Sequence, residues 1–326
     1  MEKLLEVKDL RTYFYTDDGI VKAVDGIDFF LDKGDTIGLV GESGCGKSIT
    51  ALSIMNLVPR PGKIVGGEIY FKGENLLNIS EDEIRKIRGK EISMIFQDPF
   101  TSLNPVFTIG EQIGEAIEVH SQETLTKEQL FNKVVELLKL AELPSPHQYF
   151  HYYPHQLSGG MQQRAMIAMA LSSSPSLLIA DEPTTALDMT IQVQILKLLK
   201  KLQEMLNMSI ILITHNLGVV SEIAKKVAVM YLGRIMEYTY AEDLFKNPAH
   251  PYTQGLLNAV PRISVGSKEE RRLYVIPGTI SSPLNLPSGC RFYPRCEKRI
   301  QRCLEEPLVK EIASGHFVRC WLANGG

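Results

Sequence analysis

Thr36-Ile37-Gly38-Leu39-Val40-Gly41-Glu42-Ser43-Gly44-Cys45-Gly46-Lys47-Ser48 is the stretch on which the fold turns. Residues 36–40 form a short apolar run, as a buried strand does. Residues 41–46 are a glycine-punctuated loop, and residues 48–58 read as a helix until Pro59 and Pro61 stop it. The loop fits G-x-x-x-x-G-K-[ST] at every fixed position, and strand–loop–helix is the context that motif requires. Glycines let successive backbone N–H groups turn inward around phosphate oxygens, and the helix start adds partial positive charge. Lys47 is then placed to reach the β- and γ-phosphates of a nucleotide, and the Ser48 hydroxyl to bind Mg²⁺. Gly41, Glu42, Ser43, Gly44, Cys45, Gly46, Lys47, Ser48 and Ile49 make up this candidate nucleotide site. Cys45 contributes backbone; a redox role for its thiol is the alternative.

Two further strand ends carry polar groups. Leu177-Leu178-Ile179-Ala180-Asp181-Glu182 is an apolar strand closing on two acids. Ligands of parallel α/β sheets bind at the carboxyl ends of strands. Asp181 is therefore a candidate for the Mg²⁺ held by Ser48, and Glu182 for polarising a water that attacks the γ-phosphate. The plain alternative is a solvated acidic turn before Pro183. Residues 210–214 form a continuous apolar strand ending at His215. By position alone that histidine is either structural or a partner of the γ-phosphate.

Outward from these landmarks the chain alternates strands and helices, the pattern of an α/β fold. Residues 3–10, 20–31 and 92–96 read as strands. Residues 160–171 and 190–207 read as helices, and residues 108–143 as a mostly helical insert ending near Pro154. Residues 246–289 hold many prolines, so we place a boundary near residue 255. The 326 residues suit a large domain plus an appendage, or two domains, and 44% hydrophobic residues suffice for a core without staples. A net charge of −3 gives no overall basic field toward nucleic acid or anionic lipid. No apolar run approaches the length of a transmembrane helix. The opening Met1-Glu2-Lys3-Leu4-Leu5-Glu6-Val7 lacks an apolar signal core. The expectation is a cytoplasmic protein whose membrane role, if any, comes through a partner.

The tail has its own chemistry. Cys290, Cys296, Cys303 and Cys320 are spaced C-x5-C-x6-C-x16-C. In a reducing compartment clustered thiols read first as a metal site. Four thiolates suit either a [4Fe–4S] cluster or tetrahedral Zn²⁺, with free thiols or a disulfide as the bland alternative. Structural zinc commonly uses close C-x(2–4)-C pairs, which are absent here. Arg291, Arg295, Lys298, Arg299, Arg302 and Arg319 are candidates to offset the charge of an anionic cluster, and Phe292, Tyr293 and Trp321 to shield it.

Taken together, residues 41–48, Gln97, Leu157-Ser158-Gly159-Gly160-Met161, Asp181-Glu182, Ala186-Leu187-Asp188 and His215 stand in an order and at separations that resemble the nucleotide-binding subunits of ABC transporters. The resemblance implies a P-loop NTPase (RecA-like) core over residues 1–255. It adds an antiparallel β subdomain and an α-helical subdomain at about residues 100–170. It implies that Leu157, Ser158, Gly159, Gly160 and Met161 contact ATP held by a partner subunit, so that ATP is sandwiched between two chains. Met161 replaces the glutamine usual in the family. Gln97 resembles the residue that contacts Mg²⁺ or water and senses the membrane partner. Asp188 resembles the aspartate at the dimer seam, His215 the histidine at the γ-phosphate, and Phe14 the aromatic that stacks on adenine. A core role is the alternative for Phe14, which Tyr13 and Tyr15 flank.

Residues 95–105, Ile179-Ala180-Asp181-Glu182-Pro183-Thr184-Thr185-Ala186-Leu187-Asp188, His250-Pro251-Tyr252-Thr253 and Gly289-Cys290-Arg291-Phe292-Tyr293-Pro294-Arg295-Cys296 narrow the likeness. They resemble the D-type ATP-binding subunits of dipeptide and oligopeptide importers, and extend the match to nearly the whole chain, with residues 256–326 as a C-terminal extension. The resemblance implies a [4Fe–4S] cluster at the four cysteines, with Zn²⁺ as alternative. It also implies a homologous F-type second subunit, two transmembrane permease subunits, an extracytoplasmic peptide-binding protein acting indirectly, and a place on the cytoplasmic face of the membrane. Nickel and sugar importers share this architecture. A rival of another class is a soluble ABC-type ATPase acting on nucleic acid or ribosomes, but those commonly carry two cassettes, and this chain has a single phosphate loop.

Overall fold

The computed structural model describes residues 2–121, 123–185, 187–260 and 274–323, which fall into two units. The first contains Asp32–Asp35 and Asn78–Ile213. Its strands Ile92–Ile95, Leu177–Asp181 and Ser209–Thr214 run parallel, with Ile92 opposite Leu177 and Leu177 opposite Ser209. Leu177 to Ala180 are fully buried, as expected of a parallel strand covered on both faces. Hydrophobic spacing predicts the helical insert, and helices Ile109–His120 and Lys127–Leu140 form there. Both start on a capping box, Thr108 with Glu111 and Thr126 with Gln129, in which side chains satisfy the helix's first N–H groups. Helices Gly159–Ala170 and Met189–Leu206 also belong to this unit.

The second unit contains Lys3–Leu31, Thr36–Leu77 and the chain from Thr214 onward. An antiparallel sheet here is longer than its apolar runs suggest. Strand Lys3–Thr16 continues past residue 10 because Thr12 pairs with Ile64 and Phe14 with Gly62. Strand Thr36–Val40 lies parallel to Lys226–Tyr231, which turns back as Arg234–Tyr240. The C-terminal strands His316–Val318 and Lys310–Ala313 then add to that edge. Residue 255 lies inside helix Pro251–Ala259, because Pro251 occupies the first helical turn, where its missing N–H costs nothing.

One hydrophobic core gathers Val40 at the end of the phosphate-loop strand, Tyr231, Tyr252 and Phe292 with Cys290, Cys296 and Cys303. The C-terminal residues are also tied in by Glu237, which is fully buried. Its carboxylate accepts from His316 Nε2 at 2.8 Å and from the N–H groups of Ala249 and His250 at 2.8 and 2.9 Å. Burial pushes this carboxyl up, but those donors outweigh it and hold Glu237 below the ordinary carboxylate range. Among the described residues no helix is long and apolar enough to cross a membrane.

Candidate functional site

In the second unit the phosphate loop is shaped by what surrounds it. Gly41 has φ +154°, and a Cβ there would stand 2.2 Å from the Met230 carbonyl oxygen. Gly46 has φ +107°, and its Cβ would meet the Ala23 oxygen at 2.2 Å. Only glycine fits either place. Helix Lys47–Ile54 follows with no side-chain cap, which leaves its first N–H groups available to an anion. Lys47 is buried and donates from Nζ to the carbonyls of Gly41 at 2.8 Å and Glu42 at 3.2 Å, so the ammonium sits inside the loop's curve. Ser43 and Gly44 are exposed, and Ser48 and Ile49 half-buried. Burial pushes the Cys45 thiol up, against the neighbouring Lys47 charge, so it stays protonated and a redox role loses its main chemical support.

The three aromatics of the first strand separate clearly. Tyr13 donates its hydroxyl to Asp25 Oδ1 at 2.5 Å. Phe14 is half-buried with its ring over Gly62, where a Cβ would come within 2.6 Å of it. Tyr15 is exposed. His215 follows the strand Ser209–Thr214 and is exposed.

In the first unit, Asp181 ends its strand with only 4% exposure. Glu182 adopts φ +46°, the left-handed region, which for a glutamate costs roughly 1–3 kcal/mol. Its Oε2 accepts from Gln97 Nε2 at 3.1 Å and Thr185 Oγ1 at 2.9 Å, so two of the expected site residues meet directly. Asp188 caps helix Met189–Leu206, accepting from the N–H groups of Thr190 and Ile191 at 3.0 Å each. Ala186 lies outside the described residues.

Ser158 behaves differently from three other hydroxyl caps of this unit. Ser80, Thr108 and Thr126 each accept from the third N–H of their helix. Ser158 occupies the same position before Gly159–Ala170, yet its hydroxyl makes no cap bond. The third helical residue is Met161, which cannot reach back as Glu or Gln does in a capping box. The exposed hydroxyl and the first N–H groups are thus left for another partner. Leu157 is buried, and Gln162 fixes the entry by donating to Pro154 O at 2.8 Å. Gly160 lets the helix approach Ile191, whose Cγ2 a Cβ would meet at 2.8 Å.

The four tail cysteines are buried and line one pocket with His250, Phe292, Tyr293 and Trp321. Cys290 is pushed up to about 12 by burial, with Cys320, Cys303 and Cys296 adding to the effect. Among the described residues, however, no group of three or more His, Cys, Asp or Glu stands where it could hold a metal ion. Among the described residues the extension is thus seen as a thiol-lined pocket. The expected charge compensation is also redirected: Arg291 pairs with Asp25 and Arg295 with Glu42, while Arg302 stacks on Trp321 at 3.9 Å.

Sequence reasoning missed three contacts around the loop and the first strand. Tyr252 accepts from the Glu42 N–H at 3.0 Å, Arg295 grips the Glu42 carboxylate, and Asp25 anchors Tyr13. The His250-Pro251-Tyr252-Thr253 and Gly289–Cys296 segments, quoted for their resemblance, were the available signals for Tyr252 and Arg295.

Comparison with known proteins agrees with this geometry. Residues 24–185 match the ABC transporter family, and residues 236–303 the oligopeptide/dipeptide transporter C-terminal region. The oligopeptide transport ATP-binding protein AppD of Bacillus subtilis is 52% identical over 324 residues, covering 99% of this chain and 97% of AppD. OppD of Escherichia coli strain K12 is 48% identical, covering 98% of this chain and 93% of OppD. Among solved structures, a dimeric post-hydrolysis state of the ATP-binding cassette MJ0796 with ADP and Pi aligns at TM-score 0.66 and 28% identity, covering 73% of this chain and 98% of that one.

Proposed function

This chain belongs to the ATP-binding subunits of oligopeptide and dipeptide ABC transporters, and from that premise we propose that it hydrolyses Mg-ATP to power import of short peptides. The observation that carries the reading is the Glu182 carboxylate, held by Gln97 and Thr185 at the end of a buried strand. In this proposal residues 41–49 bind the nucleotide and Phe14 stacks on its base. Ser48, Gln97 and Asp181 hold Mg²⁺. Glu182 takes the proton of the attacking water, and His215 steadies the γ-phosphate. Residues 157–161 face ATP on a homologous F-type subunit, with Asp188 at the seam. The substrate touches two permease subunits and an external binding protein, so this chain sits on the cytoplasmic face of the membrane as a peripheral subunit.

The test is assembly with those permease and F-type subunits in proteoliposomes. Peptide-loaded binding protein is expected to stimulate ATP hydrolysis several-fold. Co-purification with nucleic acid and none with membrane subunits would support the soluble rival instead.

The same proposal extends to residues 256–326. Cys290, Cys296, Cys303 and Cys320 would hold a [4Fe–4S] cluster, with Zn²⁺ as the alternative. Four buried thiols in one aromatic-walled pocket support a thiolate centre that cross-links the tail. Anaerobically purified protein is expected to carry iron and acid-labile sulfide in equal amounts, about four of each per chain. Zinc without sulfide selects the alternative, and the absence of both removes the centre.

A further inference from the structure

Glu42 is the one charged loop residue that phosphate binding leaves without a task. The motif needs main chain at this position, and a free carboxylate beside a triphosphate repels it. The structure supplies the counter-charge from far along the chain. Arg295 Nη1 and Nη2 donate to the two Glu42 oxygens at 2.7 and 3.1 Å, a bidentate grip. The arginine side chain is only 5% exposed, and its Nε is anchored on Pro277 O at 3.1 Å. The Glu42 N–H is fixed separately by the buried Tyr252 hydroxyl.

A second arginine also pairs with a carboxylate, one that Arg234 meets as well at 3.3 Å. Arg291 bonds the Asp25 carboxylate and the Leu232 carbonyl. Asp25 also takes the Tyr13 hydroxyl, next to Phe14, and its N–H donates to Gly233 O at 2.8 Å. Gly233 N–H in turn donates to Cys45 O at 2.9 Å, back in the loop. Each arginine is the immediate neighbour of a pocket cysteine, Arg291 following Cys290 and Arg295 preceding Cys296.

We propose that residues 290–296 brace the nucleotide site, Arg295 and Arg291 acting as positioning residues that neutralise Glu42 and hold the loop's flank for the triphosphate. The inference rests on the nucleotide reading above and adds a site for its regulation: whatever shifts the cysteine-bearing segment alters ATP affinity.

Displacement of a fluorescent ATP analogue from the full chain tests it. Arg295→Gln leaves Glu42 uncompensated and is expected to weaken ATP binding about tenfold, a defect that shrinks as salt screens the repulsion. Arg295→Lys keeps the charge but not the bidentate grip and should fall between. Adding Glu42→Gln to Arg295→Gln removes the repelling charge and should restore affinity to within about twofold of Glu42→Gln alone. The brace is overturned if Arg295→Gln binds ATP as the wild type does, if its defect ignores salt, or if the double variant is as weak as Arg295→Gln. Should Arg295→Gln not fold, the lysine and double variants decide by the same criteria. A wild-type chain that binds no ATP instead overturns the nucleotide reading itself.

Discussion

Glutamine in place of Glu182 is expected to slow ATP turnover about 10³-fold while ATP still binds. The substitution is isosteric, so the side chain keeps an oxygen that can accept from Gln97 and Thr185. The left-handed backbone at this position is unchanged, and folding should be unaffected. What disappears is the capacity to take a proton from water. The nucleotide loop is untouched, so the variant should accumulate an ATP-bound state. Steady-state phosphate release together with analogue binding separates the two quantities. Hydrolysis at the wild-type rate would remove Glu182 as the base.

The second large effect is expected at a distance from the altered chain's own nucleotide. Ser158→Ala should leave ATP binding to the isolated subunit intact and lower turnover of the mixed dimer by about 10²-fold, the usual loss when one donor to a developing anion is removed. The reason lies in the missing cap. A Ser158 hydroxyl engaged with its own helix would stabilise that helix, and alanine would then cost about 1 kcal/mol of stability. Here the hydroxyl makes no such bond, so stability should barely move. Weakened binding in the isolated chain, or normal hydrolysis in the mixed dimer, would contradict the sandwich.

Elements with local causes were legible in the sequence. The strand Thr36–Val40, the glycine loop and the helix after it are specified by residues within a few positions of one another, and the strand Leu177–Asp181 by its apolar run. The insert was legible because its spacing and its capping boxes agree. Extent was harder to read. The first strand runs to Thr16 because of its partner at residues 62–71, and no local pattern records that partner. Within the proline-rich stretch, Pro251 opens a helix that no periodic run announces. In the site, Gln97 and Glu182 were named separately but their hydrogen bond was not, since 85 residues intervene. The Arg295–Glu42 pair spans 253 residues. The sequence offered a plausible and different role for that arginine, balancing charge near the cysteines. Burial of a compact side-chain pair leaves no periodic trace to read.

The left-handed backbone at Glu182 also constrains how this enzyme can evolve. Asparagine and aspartate are the side chains that tolerate such a dihedral most readily. Aspartate retains an acid but is one methylene shorter, and asparagine has no acid at all. Relief of conformational strain and retention of the proton acceptor therefore pull toward different amino acids. Stabilising mutations selected elsewhere in the molecule cannot resolve that opposition, so drift at this codon is closed from two directions at once.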